Sequence, residues 1–91
     1  MPEKVWVFMG EGARMPSGLF SAQTSAEVWI LHNRLTGVLT EFPVDIGVLD
    51  WAIRFAEFDP PVEKRASPAY VGRFTSGAVT HFRFEDGVRV A

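Results

Sequence analysis

The first apolar run of the chain alternates at a period of two residues. Residues 4–10, KVWVFMG, are rich in β-branched and aromatic side chains and predict a strand. Successive side chains of a strand point to opposite sides, which places Val5, Val7 and Met9 on one side and Trp6 and Phe8 on the other. Because both sides are apolar, the strand is either covered on both faces or turns one face toward a partner.

The next segments predict a hairpin, a helix and a third strand. Glycine and proline interrupt every period over residues 10–18, which predicts a loop, and residues 18–21 then predict a short return strand. Ser21 is a candidate N-cap for a helix over about 22–34, with a second capping box at 24–27, and Gly37 is the expected stop. Residues 37–45 predict a strand, in which Pro43 is expected at the end or on an edge.

The second half of the chain predicts helices followed by a hairpin. Asp45 is a candidate cap for a helix over about 46–57, and EKRA at 63–66 is expected to be a polar connector. Ser67 and Pro68 predict the start of a short helix over 68–74, with a strand as the alternative. Residues 78–91 predict a hairpin that turns at Asp86-Gly87.

This order, β-β-α-β-α-(short α)-β-β, lacks a strict βαβ rhythm and predicts an α+β fold. We expect a small, mostly antiparallel sheet with the two main helices packed on one face. At 91 residues, of which 47% are hydrophobic, the chain has the length and composition of one globular domain spanning 1–91.

The composition of the chain argues against several classes of function. With no cysteine, the chain offers neither disulfides nor a zinc–thiolate site. Nine basic and eleven acidic residues, mixed along the chain to a net charge of −2, argue against nucleic-acid binding, which needs a basic surface. No apolar run is long enough to span a membrane, and the first residues lack a secretory signal. We therefore expect Met1 to be the native start of a cytoplasmic protein.

The glycines after the first strand raise the question of phosphate binding. A dinucleotide loop requires G-x-G-x-x-G and a helix that begins inside the motif, whereas here Gly10 and Gly12 are followed by Met15. The loop is better explained as a flexible hairpin tip. Glu11 and Arg14 on that tip are candidate contacts for a partner.

The residues that could carry catalysis do not form a recognised constellation. His32 and His81 stand 49 positions apart, and Asp45 and Asp50 would point about 140° apart on a helix. We therefore predict no catalytic, cofactor-binding or metal-binding residues. The alternative is a small-molecule or metal-dependent enzyme that uses Glu11, Arg14 and His81 near the glycine loop.

The predicted helices carry more apolar surface than one core requires. The first helix has an ordinary core stripe and, opposite it, a second strip formed by Val28, Leu31 and Leu35. Apolar residues of the second helix spread over roughly 220° of its circumference. Three explanations stay open: the helices pack against each other, the chain forms a homodimer, or it binds a different protein. Trp6, Trp51 and Arg54 are further candidates for such an interface, because aromatic residues and arginine are favoured there.

Several segments carry a family resemblance, namely VWVFMGEGARMPSGLFS, WILHNRLTGVLTEFPVDIGVLDWAI, GRFTS and HFRFEDG. Together the segments resemble a family of small, uncharacterised bacterial single-domain proteins. These proteins share a W-V-F-x-G opening, an L-T-G-x-L-T link, a P-V-D turn, a D-W-A helix and an aromatic ending that contains histidine. The resemblance spans nearly the whole chain and implies no activity, cofactor or catalytic residue.

Family endings often read His-x-His, whereas this chain has His81-Phe82-Arg83. In style, such short aromatic-rich proteins are similar to immunity proteins that neutralise bacterial toxins. The function expected from the sequence is therefore a small, non-enzymatic protein-binding module. It is expected to act through the apolar helix surfaces and the 10–18 loop, and its most specific form is an immunity- or antitoxin-like inhibitor.

Overall fold

Five antiparallel strands form one sheet in the computed structural model, which describes residues 3–90. Met1, Pro2 and Ala91, the last residue of the predicted terminal hairpin, lie outside the described residues. The order across the sheet is β2-β1-β3-β4-β5, so β1, β3 and β4 are interior strands and β2 and β5 are its edges. The strands are β1 (Lys4–Gly10), β2 (Gly18–Phe20), β3 (Gly37–Pro43), β4 (His81–Glu85) and β5 (Val88–Val90).

Four helices accompany these strands within residues 3–90: α1 (Gln23–His32), α2 (Val48–Phe55), α3 (Val62–Arg65) and α4 (Pro68–Arg73). The predicted α+β class and the predicted order of the main elements are confirmed. The extra element is α3, which occupies the segment expected to be a polar connector. None of the helices in this part of the chain combines the length and the apolar character needed to cross a bilayer.

Two of the predicted helix caps are wrong and one is confirmed. The N-cap of α1 is Ala22, one residue after Ser21, and the N-cap of α2 is Gly47. Asp45 cannot cap α2 because the bend after β3 holds it at a φ of 64°, whereas an N-cap needs an extended backbone. Ser67 behaves as predicted, since its hydroxyl accepts a hydrogen bond of 3.2 Å from the amide of Tyr70.

The C-terminus of α1 closes without the predicted glycine. Arg34 takes the left-handed conformation at a φ of 54°, and its amide donates to the carbonyl of Leu31 at 3.1 Å. The amide of Leu35 donates to the carbonyl of Ile30 at 3.0 Å, which completes a Schellman motif. This motif turns Leu35 back toward the core, and the chain enters β3 with Gly37 as its first residue.

One side of α1 covers one face of the sheet and forms the main core. The buried members are Trp6, Phe8, Leu39 and Phe84 from the sheet and Ala26 and Ile30 from α1. Ring contacts tie the layers together: Phe8 meets Trp29 edge-on, with ring centroids 5.7 Å apart. Gly37 is required at this face, because a Cβ there would lie 2.3 Å from the carbonyl oxygen of Met9.

A second, smaller cluster forms around α2. Trp51 and Ala52 of α2 pack with Val79, and Phe74 after α4 joins them. The two clusters, as the described residues define them, share no member, so α1 and α2 belong to different cores. The chain is correspondingly elongated, with extents of 44 × 29 × 23 Å. Its radius of gyration of 14.5 Å exceeds the roughly 12 Å expected for a domain of this length.

The terminal hairpin has the predicted turn. Asp86 and Gly87 have φ values of 50° and 85°, the pair of positive values that a two-residue type I′ turn requires. The amide of Gly87 donates to the carbonyl of Leu35 at 2.8 Å, which ties the turn to the end of α1.

Candidate functional site

The sheet side opposite α1 carries an apolar surface, here termed the open face. Strand alternation and the pairing register assign its members. They are Leu19 of β2, Val5, Val7 and Met9 of β1, Val38, Thr40 and Phe42 of β3, His81, Arg83 and Glu85 of β4, and Val88 and Val90 of β5.

These side chains form rows across the strands. Leu19 lies opposite Val7, which lies opposite Thr40 in turn. On either side of this row, Met9 lies opposite Val38 and Val5 lies opposite Phe42. Directly opposed residues in antiparallel strands have Cβ atoms about 5 Å apart, so the rows make one continuous surface. This surface is mainly apolar over β2, β1 and β3 and becomes polar at β4, where His81 lies opposite Thr40 and Arg83 lies opposite Val38.

The open face is accessible to solvent, in contrast to the face beneath α1. Leu19 is 67% exposed and Met9 is also exposed, while Val5, Val7, Val38 and Phe42 are half-buried. Phe8, which neighbours Val7 in the same strand, is only 1% exposed. A shallow cavity of about 270 Å³ lies where residues 75–79 border this face beside His81.

Charged residues border the open face where the 10–18 loop meets β4. Arg83 donates to the carboxylate of Glu11 at 3.2 Å and lies 3.6 Å from the carboxylate of Glu85. The amide of Glu11 donates to the carbonyl of Thr36 at 3.0 Å, which anchors the start of the loop to the residue that precedes β3. Arg14 is exposed farther along the loop. The loop is a hairpin tip between β1 and β2, as predicted.

The residues of the enzyme alternative are only partly brought together. The Glu11–Arg83 ion pair places Glu11 near β4, on which His81 also lies. The His81 Nδ1 atom is 2.8 Å from the carbonyl oxygen of Val79, so one ring nitrogen already has a backbone partner. Within residues 3–90, no group of three histidine, cysteine, aspartate or glutamate side chains is arranged to hold a metal ion. The enzyme alternative therefore gains no support from this geometry.

The outer strip of α1 forms a second apolar surface. Val28 is 68% exposed and Leu31 is also exposed. Together with Val88 of β5 they line a shallow groove of about 320 Å³, here termed the α1–β5 groove. Its charged residues, Glu27 and Arg89, lie 3.7 Å apart and pair within the chain.

The remaining predicted interface residues lie in different environments. Trp6 and Trp51 are 8% and 9% exposed and belong to the two core clusters, so neither offers an accessible contact surface. Leu35 is half-buried against the main core because of the Schellman motif. Arg54 is exposed and lines the groove of about 890 Å³ between α2 and residues 44–47, beside Asp45 and Asp50.

Sequence reasoning did not select the open-face residues as a site. The alternation correctly predicts that Val5, Val7 and Met9 lie on one side of the first strand, but residue type favours Trp6, from the other side, as the interface candidate. The missing information was which side α1 covers. The sequence does contain one signal, because both faces of β1 are apolar. An interior strand of this kind needs a covering layer on each side.

Residues 5–90 match a family described as Domain of unknown function (DUF7710), and the chain belongs to that family. No curated protein and no solved structure matches the chain significantly.

Proposed function

We propose that this member of the DUF7710 family is a non-enzymatic protein-binding module. The most specific version of this proposal is an immunity- or antitoxin-like inhibitor in the cytoplasm of a bacterium. Such an inhibitor binds one protein and blocks the activity of that protein. The binding surface consists of exposed apolar side chains on the open face, in the α1–β5 groove and on the 10–18 loop.

The observation that carries this proposal is an excess of accessible surface with apolar side chains gathered on it. The accessible surface is 6375 Å², whereas a monomer of 10.2 kDa is expected to expose about 5,300 Å². Leu19 and Met9 lie together on one side and Val28 and Leu31 on another. Gathered apolar patches of this kind on small proteins usually mark interaction sites.

The residue types on these surfaces also suit a protein partner. Met9, Met15 and Phe42 belong to the classes enriched at protein interfaces, as does Arg83 at the border of the open face. Methionine side chains adapt to the shape of a partner because they are flexible and polarisable.

Affinity capture with matched surface variants tests the proposal. The tagged chain is used to retain proteins from a lysate of its host, and the same is done with Leu19→Lys and Val28→Lys variants. We expect the wild type to retain one protein, or a second copy of itself, and at least one variant to lose it. A toxin-like partner should also lose its activity when the chain is added.

The variants should unfold at the wild-type temperature, because both positions are exposed and a loss of binding then reports on the surface. The proposal is contradicted if the wild type stays strictly monomeric and retains no protein that the variants lose.

A further inference from the structure

We propose that a second copy of this chain covers the open face, sheet against sheet, in a two-fold symmetric dimer. This inference rests on the proposed function and deepens it, because it names the partner for one of the two apolar surfaces. Three properties of the open face support it: its size, its shape and the balance of charge around it.

The size of the face accounts for about half of a standard interface. The 25 residues of the five strands, at about 3.3 Å along a strand and about 4.8 Å between strands, give a flat area of about 400 Å². Projecting side chains and the adjoining 10–18 loop add to the area that a partner can cover. A standard interface buries about 800 Å² on each partner. Burying that much would bring the accessible surface of each chain close to the value of about 5,300 Å² expected for its mass.

The shape of the face favours a second copy over other apolar surfaces of the chain. A two-fold interface uses the same patch on both subunits, so the patch must be complementary to itself. A sheet face meets this condition, because two sheets pack about 10 Å apart with interdigitating side chains, as in β-sandwiches. A groove requires a ridge on its partner, and the α1–β5 groove therefore does not fit a copy of itself in this way.

Charge at the border of the face is balanced in sign. Arg83 lies between the carboxylates of Glu11 and Glu85, and Arg14 is exposed on the adjoining loop. Two positive and two negative side chains give no attraction for a strongly charged partner. In a two-fold dimer the same set faces itself, so arginines of one copy can meet glutamates of the other.

Sedimentation or light scattering of the full chain tests this dimer with two matched double variants. Met9→Lys/Leu19→Lys places two charges on the open face, and Val28→Lys/Leu31→Lys places two charges on the outer strip of α1. All four positions are exposed in the single chain, and both variants change the net charge by the same amount. Circular dichroism confirms that each variant is folded.

We expect the wild type to sediment as a dimer at a protein concentration of about 100 µM, because this concentration is well above a micromolar dissociation constant. Met9→Lys/Leu19→Lys should raise the dissociation constant at least about 100-fold, because two pairs of like charges would be desolvated in the interface. Val28→Lys/Leu31→Lys should leave it unchanged.

Every other pattern overturns the dimer. A wild type that is monomeric at this concentration, or a dimer that survives Met9→Lys/Leu19→Lys, shows that a second copy does not cover the open face. A dimer broken by Val28→Lys/Leu31→Lys places the contact on α1 instead. In that last case, and in the case of a monomer that captures a different protein, the proposed protein-binding function stands while the dimer falls.

Discussion

The two faces of the sheet are built from the same strands and have opposite environments. Phe8 and Val7 are adjacent in β1, yet Phe8 is enclosed beneath α1 and Val7 lies on the half-exposed open face. The same contrast separates Leu39, which is fully buried, from Val38 beside it. Both faces are apolar at their centres, so the apolar character of a side chain does not by itself determine its burial.

The difference comes from the helix layer. The Schellman motif after α1 and the Gly87–Leu35 hydrogen bond hold this helix over one face of the sheet. Helix α2 belongs to a separate cluster with Val79 and Phe74. A chain of this length supplies one full layer, and the second apolar face is left for another molecule or for solvent.

A large contrast between the faces is expected from truncating neighbours in β1. Phe8→Ala should lower the free energy of unfolding by about 3–5 kcal/mol, because it opens a cavity in the main core. Val7→Ala, its control one residue away, should cost about 1 kcal/mol, since a half-buried side chain loses two carbon atoms. Urea denaturation followed by circular dichroism measures both. Equal losses would show that the open face is enclosed as tightly as the core.

A second contrast uses two glycines. Gly37→Ala should lower the free energy of unfolding by about 1–3 kcal/mol, because the new Cβ would collide with the backbone at Met9 and with the ring of Phe8. Gly77→Ala is the control, since a Cβ there meets no atom within 4 Å. It should be neutral or slightly stabilising. Thermal unfolding compares the pair, and a tolerated Gly37→Ala would mean that β1 and β3 approach less closely than described.

A lysine introduced on each face should also distinguish the two faces by its effect on stability. Leu39→Lys buries an unpaired ammonium group beneath α1 and should abolish the cooperative unfolding transition. Leu19→Lys, measured at a protein concentration low enough to keep the chain monomeric, should change the free energy of unfolding by no more than about 0.5 kcal/mol. Calorimetry provides the comparison, and a large loss for Leu19→Lys would reveal intramolecular packing on the open face.

The smallest expected effect concerns the Glu11–Arg83 ion pair at the border of the open face. Both side chains are at least half exposed, so Glu11→Gln should cost less than about 1 kcal/mol. A double-mutant cycle with Arg83→Gln isolates the pair, and its coupling should disappear in 1 M salt, where the Debye length is about 3 Å. Coupling that persists in salt would indicate a desolvated pair.

Local rules predicted the sheet better than they predicted the helix ends. Three correct predictions depend on neighbouring residues only. They are the strand over residues 4–10, the turn at Asp86-Gly87 and the start of α4 at Ser67-Pro68. Ser21 and Asp45 had suitable side chains for capping but the wrong backbone positions. The path of the chain out of β2 and β3 decides where each helix begins, and that path depends on the sheet.

The candidate site was predictable only in outline. The outer strip of α1 was identified from helical periodicity, and the structure leaves Val28 and Leu31 exposed. Leu35 followed the same periodicity but lies beyond the last helical residue, so the Schellman motif carries it inward. Trp6 and Trp51 were selected by residue type, which cannot distinguish a core ring from an interface ring.

The amino-acid sequence alone determined the α+β class, the strands with their two apolar faces and the type I′ hairpin, because these depend on period and on local backbone preference. Only the tertiary structure decided which face of β1 is covered, since that depends on where α1 packs after the chain leaves β2. It likewise decided that α1 and α2 enter separate cores. Burial is a property of two surfaces in contact, and a strand pattern describes only one of them.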